Sequence, residues 1–314
     1  MYINASGYYI PEERIPNDYF LEVNGMSSEW IVQRTGIITR SRAKPEENLN
    51  TMGLAAIHHA LPSLPYDIKE VDLIISASYS PYDMVGTAAH VAQKEFGIEE
   101  ARALLLSTAC SSFVNAFEVV EGYFATGKSQ KALIIGGDHN SAYGNESDPK
   151  TGHLWGDAAV AVFISKERMA EHDAQILDIF TQGLGCVGRG PEAIQLRPLE
   201  RFIRMPSGKD VFIQACTIMP QNALRMLKKN GYTWDDVSYF IAHQANMRIL
   251  NNIAHQIRIP NEKILHNIET LGNTGCASCM LVYSQHKERF KKDDLICISV
   301  FGGGYSAGAC LIKC

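Results

Sequence analysis

The sequence predicts an α/β protein whose sheets are largely buried and whose two halves follow one plan. The first observation is alternation. Short apolar runs (VDLIISAS, ALLLSTA, KALIIGG, AAVAVFI, SYFIAHQ, LICISVF and ACLIKC) are separated by stretches with helical spacing. Near-continuous apolar runs of this length read as strands covered by helices on both faces, because a sheet with one wet face would alternate. The second observation is a repeat. An offset of 166 residues places Val71–Ile75 on Val237–Ile241, Ser107–Cys110 on Asn273–Cys276 and Ile135–Gly137 on Phe301–Gly303. Any two strand–helix units share one such match, whereas three at a single offset imply two similar halves, 1–168 and 169–314. The third is bulk composition: 314 residues, 46% hydrophobic and 20% charged, suffice for a large core.

Composition also narrows function. The formal net charge of −5 gives no basic field, which argues against nucleic acid as a partner. The opening MYINASGYYIPEER has no positive stretch followed by an apolar run, so no secretion signal is expected. No segment approaches the roughly 18 apolar residues a membrane helix needs; a cytoplasmic protein with no membrane partner is the expectation. The eight cysteines are expected to be reduced, most of them buried as small apolar residues. Cys276-Ala-Ser-Cys279 has zinc-like spacing but no second pair of matching quality, so no metal is expected.

Cys110 follows the apolar run Ala103–Leu106 and precedes apolar residues at helical spacing: Phe113, Ala116, Phe117, Val120 and Phe124. It therefore stands where a strand hands over to a helix N-terminus. Backbone N–H groups and the positive end of the helix dipole favour a thiolate there. A thiol of ordinary pKa (~8.5) is only slightly ionised at neutral pH, so this placement predicts an activated nucleophile. A buried structural cysteine fits the position equally well.

His243 lies just past Tyr239–Ala242 and before a helix beginning near Met247, at a strand end where α/β folds place their sites. Asn273, in Leu271-Gly272-Asn273-Thr274-Gly275, precedes another helix start and could equally be an N-cap. Phe301-Gly302-Gly303-Gly304-Tyr305 follows the strand LICISV. Its glycines let a backbone N–H approach a ligand oxygen, as an oxyanion hole requires, or simply make a tight turn. Gly183-Leu184-Gly185-Cys186-Val187-Gly188 matches a dinucleotide fingerprint, but the Arg189-Gly190-Pro191 that follows continues a helix poorly. It is expected to be a loop.

Taken together, TACSSF, IAHQAN, GNTG and FGGGY occur in the order and spacing of the β-ketoacyl-acyl-carrier-protein synthase III family, and Ser28–Ile37 resembles that family's N-terminal signature. The resemblance covers essentially the whole chain. It implies a thiolase-like five-layered αβαβα fold, usually a homodimer. It implies that Cys110 takes an acyl group from a thioester, commonly acyl-CoA. Malonyl-ACP, a malonyl thioester on acyl-carrier protein, would then enter by the same tunnel. His243 and Asn273 would hydrogen-bond its thioester oxygen as carbon dioxide leaves, and the carbanion would attack acyl-Cys110. The N–H groups of Cys110 and Gly303 would hold the oxyanion of the acyl-transfer steps. Trp30 and Arg34 would grip the nucleotide end of coenzyme A. Val85, Phe212 and Phe301 would complete substrate binding, Asn246 would orient substrate or its neighbours through hydrogen bonds, and Arg248 would meet the carrier protein. No cofactor is implied beyond the thioester substrates.

The chain departs from the family pattern in three places. An arginine expected to stack opposite Trp30 is represented only by Lys150, in the short loop Asp148–Gly152. Ile213, His255 and Gln256 stand where the docking surface is usually basic; Arg225, Lys228 and Lys229 could take over that role or form a solvated helix face. Val85 maps to a position that is often phenylalanine and closes the acyl pocket across the dimer interface. The smaller side chain implies a longer or branched primer. The same trio would also serve an acyltransferase that passes the acyl group to an alcohol or amine. A non-catalytic partner subunit would be expected to have lost Cys110.

Overall fold

The computed structural model describes residues 1–314. The first half of the chain forms β1 (Tyr2–Tyr9), β2 (Glu13–Pro16), α1 (Asp18–Asn24), α2 (Ser28–Thr35), β3 (Thr39–Arg42), α3 (Leu49–Ala60), β4 (Leu73–Ala77), α4 (Ala88–Glu95), β5 (Arg102–Leu106), α5 (Ser112–Ala125), β6 (Lys131–Asp138), α6 (Asn140–Tyr143) and β7 (Ala158–Ser165). The second half forms β8 (Ala174–Gly183), β9 (Gln195–Leu196), β10 (Ile203–Arg204), α7 (Gly208–Lys229), β11 (Val237–Ala242), α8 (Met247–Ile257), α9 (Ile268–Leu271), α10 (Ser278–His286), β12 (Leu295–Gly302) and β13 (Ser306–Lys313).

Nine strands join in the order β11-β12-β13-β8-β1-β7-β6-β4-β5. In the first half β4 pairs in parallel with β5 and β6, and β7 is antiparallel to β6 and β1. The second half repeats this: β11 and β12 are parallel, and β13 is antiparallel to β12 and β8. A lone bridge between Phe240 and Ile264 occupies the place that β5 holds in the first half. The two half-sheets join edge to edge through two residue pairs, Tyr2–Gln175 and Ile3–Ala174.

Alternate residues of a strand point to opposite faces, and this sorts the core into layers. Leu73, Ile75 and Ala77 of β4 and Ile296, Ile298 and Val300 of β12 pack against α5 and α10 between the two half-sheets. Ile74 of β4 and Leu133 and Ile135 of β6 face outward onto α3 and α4. Cys297 of β12 and Ala309 and Leu311 of β13 face outward onto α7 and α8. The result is the five-layered αβαβα arrangement of the thiolase-like class. Each large side chain sealed in these layers, such as Phe113 or Phe117, contributes about 1.5–3 kcal/mol through removal from water.

Pro220 lies inside α7 and has no N–H for the carbonyl of Cys216. Gln256 Nε2 of α8 donates to that carbonyl instead, at 3.0 Å. The substitution couples the two outer helices that flank the site. The glycine-rich stretch Gly183–Gly188 runs from the end of β8 into turns, a loop as its sequence predicts.

Candidate active site

Cys110 sits between β5 and α5 in a turn pinned from several sides. Ala109 before it has φ +52°, a left-handed conformation that costs a non-glycine residue energy and persists only where the surroundings impose it. Ser112 Oγ donates to the Ala109 carbonyl at 2.6 Å and accepts from Thr108 N–H at 2.9 Å. Ser306 Oγ, from β13, lies 2.7 Å from both the Thr108 carbonyl and Ser111 Oγ. The turn is thus tied across the two halves.

Burial pushes the Cys110 thiol well above its ordinary pKa, and the buried Asp138 carboxylate adds to the push. The thiolate expected at a helix N-terminus is therefore not the resting form. Loss of water and the nearby carboxylate both disfavour the anion.

His243 follows β11 and is buried. Burial lowers its pKa to about 4, so the ring is neutral at neutral pH. Its Nδ1 lies 2.8 Å from Ser278 Oγ, and Gln244 N–H donates to that same oxygen at 3.4 Å. With its oxygen already accepting, Ser278 has its hydrogen available for Nδ1. This assigns the ring proton to Nε2, the nitrogen left free.

Asn273 is fixed in a similar way. Its Oδ1 accepts from Gly275 N–H at 3.0 Å, its backbone N–H donates to Leu154 at 2.8 Å, and its carbonyl accepts from Asn140 Nδ2 at 3.1 Å. Nδ2 is left as a donor with no protein acceptor.

Two backbone donors complete the set. The N–H groups of Cys110 and Gly303 donate to no protein acceptor. Gly302 has to be glycine, because a Cβ there would lie 2.8 Å from the Cys110 nitrogen. All of these groups open on one cavity of about 290 Å³, whose far walls are Val211, Ala215 and Met219 of α7 and Ile249 of α8. Such apolar walls strengthen any hydrogen bond made to a developing negative charge.

The structure brings Cys110, His243, Asn273, Gly303 and Phe301 to this cavity. The other residues singled out by sequence lie elsewhere. Trp30 has the Arg34 guanidinium 5.5 Å from its ring centroid and the edge of His153 at 5.5 Å. Arg248 lies 5.7 Å from the ring of Phe212. Lys150 borders a separate cleft that shares Ile203 and Met205 with the cavity wall.

Two more of the residues singled out by sequence stand outside the cavity. Asn246 does not reach the cavity: Oδ1 caps α8 by accepting from Arg248 N–H at 2.8 Å, and Nδ2 donates to the Arg34 carbonyl at 3.1 Å. It orients its neighbours. Val85, expected to act across a dimer interface, is 85% exposed on a loop and does not line this chain's own cavity.

Sequence reasoning missed Tyr79 and Trp155, which also line the cavity, and Asp138. Oδ1 of Asp138 accepts from the hydroxyls of Ser78 and Ser80 and from the N–H groups of Tyr79 and Ser80, and its Oδ2 accepts from Cys276 N–H. These bonds favour the carboxylate, yet burial wins and raises its pKa to about 6. A lone acid closing the strand run KALIIGGD was the available signal. The cysteines of Cys276-Ala-Ser-Cys279 are both buried, and Cys276 Sγ donates to the Ala77 carbonyl at 3.0 Å.

A family profile described as 3-oxoacyl-[acyl-carrier-protein (ACP)] synthase III matches residues 106–185, and its C-terminal counterpart matches residues 227–314. The β-ketoacyl-[acyl-carrier-protein] synthase III of Prochlorococcus marinus (strain MIT 9215) is 34% identical over 98% of this chain and 95% of its own. The crystal structure of 3-oxoacyl-[acyl-carrier-protein] synthase III from Aquifex aeolicus superimposes with a TM-score of 0.92 at 31% identity, covering 100% of this chain and 99% of that one. The corresponding Thermus thermophilus structure gives 0.92 at 27% identity, covering 99% and 98%.

Proposed function

The chain belongs to the β-ketoacyl-acyl-carrier-protein synthase III family, and we propose that it condenses an acyl primer carried on Cys110 with malonyl-ACP. The observation that carries this reading is the convergence of four uncommitted donors on one apolar cavity beside Cys110: His243 Nε2–H, Asn273 Nδ2–H and the N–H groups of Cys110 and Gly303.

Cys110 sulfur attacks the primer thioester, and its proton ends on the departing pantetheine sulfur. The two backbone N–H groups hold the oxyanion of that step. Malonyl-ACP then places its thioester oxygen against His243 and Asn273. Both are neutral donors, so they strengthen their bonds as the oxygen becomes an enolate and bind the ground state less well. Carbon dioxide leaves, and the enolate carbon attacks the acyl carbon. Cys110 departs as thiolate and takes a proton from solvent. Decarboxylation supplies the carbanion, so no strong base is called for, and the chemistry as written needs no resident cofactor.

The same reading extends to the surroundings. Trp30 and Arg34 would grip the nucleotide end of coenzyme A, with Phe212 and Arg248 at the carrier-protein approach. Halves 1–168 and 169–314 would meet across the site. A homodimer is supported by the exposed apolar loop Tyr82, Met84 and Val85 and by the unpaired edge of β5; Val85 would then belong to the partner's acyl pocket. No helix is long and apolar enough to cross a membrane, and with thioester substrates carried on a protein we place the reaction in the cytoplasm.

The test is carbon dioxide release from malonyl-ACP, measured together with formation of a β-ketoacyl product. Primer-dependent release with product is expected. Acyl transfer to an alcohol or amine without carbon dioxide would replace condensation by simple transfer.

A further inference from the structure

We propose that Tyr79 is the primer-length stop of this site and restricts Cys110 to acyl groups of about two to four carbons. The inference rests on the acyl-Cys110 reading above. Tyr79, Ser107 and Trp155 line the cavity together with Cys110, and the Tyr79 side chain bears directly on the Cys110 thiol. Trp155 is 6% exposed and cannot give way without disturbing its packing.

Tyr79 is held at both ends. Its N–H donates to Asp138 Oδ1 at 3.1 Å, and its hydroxyl donates to Asn140 Oδ1 at 2.5 Å. Asn140 in turn donates through Nδ2 to the carbonyls of Gly156, at 2.8 Å, and Asn273, at 3.1 Å. Swinging the tyrosine aside would thus unseat a group that positions Asn273. The fold has also been hollowed to receive the hydroxyl. Gly275 has φ +63°, and a Cβ there would lie 2.8 Å from Tyr79 Oη and 2.2 Å from Asp138 Oδ2.

A longer acyl chain has to break the bond to Asn140 or lie in the tunnel that the pantetheine arm needs. The whole cavity is only about 290 Å³. Val85 points to the opposite expectation, a longer primer. A smaller side chain at Val85 adds room only beyond Tyr79, an anchored residue on the same chain as Cys110. Tyr79 and Val85 therefore make competing claims on one observable.

The experiment is intact-protein mass spectrometry of Cys110 acylation with straight-chain acyl thioesters from two to ten carbons, on coenzyme A and on acyl-carrier protein. Wild type is expected to label with two to four carbons and to fall off steeply by six. Tyr79→Ala should move the profile, raising labelling by six- to eight-carbon chains relative to acetyl about tenfold, the worth of two buried methylenes. Tyr79→Phe should keep the short-chain profile, because it keeps the ring and loses only the hydroxyl, which bonds Asn140 and also bears on the Cys110 thiol.

Wild type accepting eight carbons as readily as two would overturn the proposal, even if Tyr79→Ala did not fold. A larger shift from Val85→Phe than from Tyr79→Ala would overturn it too. Absence of any adduct from either carrier would sink the acyl-Cys110 reading itself, and this inference with it.

Discussion

Cys110 and Cys276 stand at matched points of the two halves, 166 residues apart, and the structure gives them different surroundings. Each follows a residue of positive φ, Ala109 at +52° and Gly275 at +63°. Each lies two residues before a serine that opens a central-layer helix, Ser112 of α5 and Ser278 of α10. What differs is the strand end that crosses over each turn. Over Cys276 lies the end of β6, whose Asp138 Oδ2 accepts from Cys276 N–H at 2.7 Å. Over Cys110 lies the end of β12, whose glycines carry no such group, and the Cys110 N–H is left without a protein partner. One half fills its helix N-terminus with a built-in carboxylate oxygen; the other leaves the equivalent N–H without a protein acceptor, which the proposed function assigns to a substrate oxygen. Under the proposed function, an oxyanion hole would arise here from removing a side chain as much as from adding donors.

The comparison can be broken most forcefully at the cysteines. Cys110→Ala should abolish acylation and lower condensation by about 10⁴-fold or more, whereas Cys276→Ala should keep acylation and cost about 1 kcal/mol of stability in denaturant unfolding. Next come the two side-chain donors. His243→Ala and Asn273→Ala should each reduce carbon dioxide release by about 10²–10³-fold, the worth of a lost oxyanion-type donor, while Cys110 still takes up acyl groups. Loss of acylation in these variants would mean that they serve the first step instead.

A smaller effect is expected at Asp138. Asp138→Asn removes the carboxylate that opposes the Cys110 thiolate, so the pH profile of Cys110 alkylation should move to lower pH. An unchanged profile would mean that burial alone sets the thiol.

The smallest effect is one of stability against pH. His243 is held near 4 in the folded state against about 6.5 unfolded. Between these values the unfolded chain binds the extra proton, so this contribution is full above about 6.5 and is lost as pH falls towards 4. His243→Asn should show a shallower loss of stability over that window than wild type. Equal slopes would place the ring in water.

Alternation of apolar runs, the 166-residue repeat and the strand-end positions of Cys110, His243 and Asn273 are legible in the sequence. These are consequences of local pattern, since a strand handing over to a helix must expose its last residues at the sheet edge. What sequence could not reach depends on contacts between distant segments. Ser278 selects the tautomer of a histidine 35 residues away. The thiol of Cys110 is raised rather than lowered because strands from both halves exclude water from it. Asn246 could orient substrate or its neighbours, and only the structure shows its side chain used on Arg34 and Arg248. Tyr79 carried no signal in its own neighbourhood, because its importance comes from Asn140, 61 residues later in the chain.

The central claim is that the two matched cysteines are chemically unequal, and peptide mapping after acylation tests it most directly. Incubation with short-chain acyl-CoA and acyl-ACP, followed by digestion and mass analysis, is predicted to place the acyl group on Cys110 alone. An acyl group on Cys276, or none on Cys110 with either donor, would contradict the account.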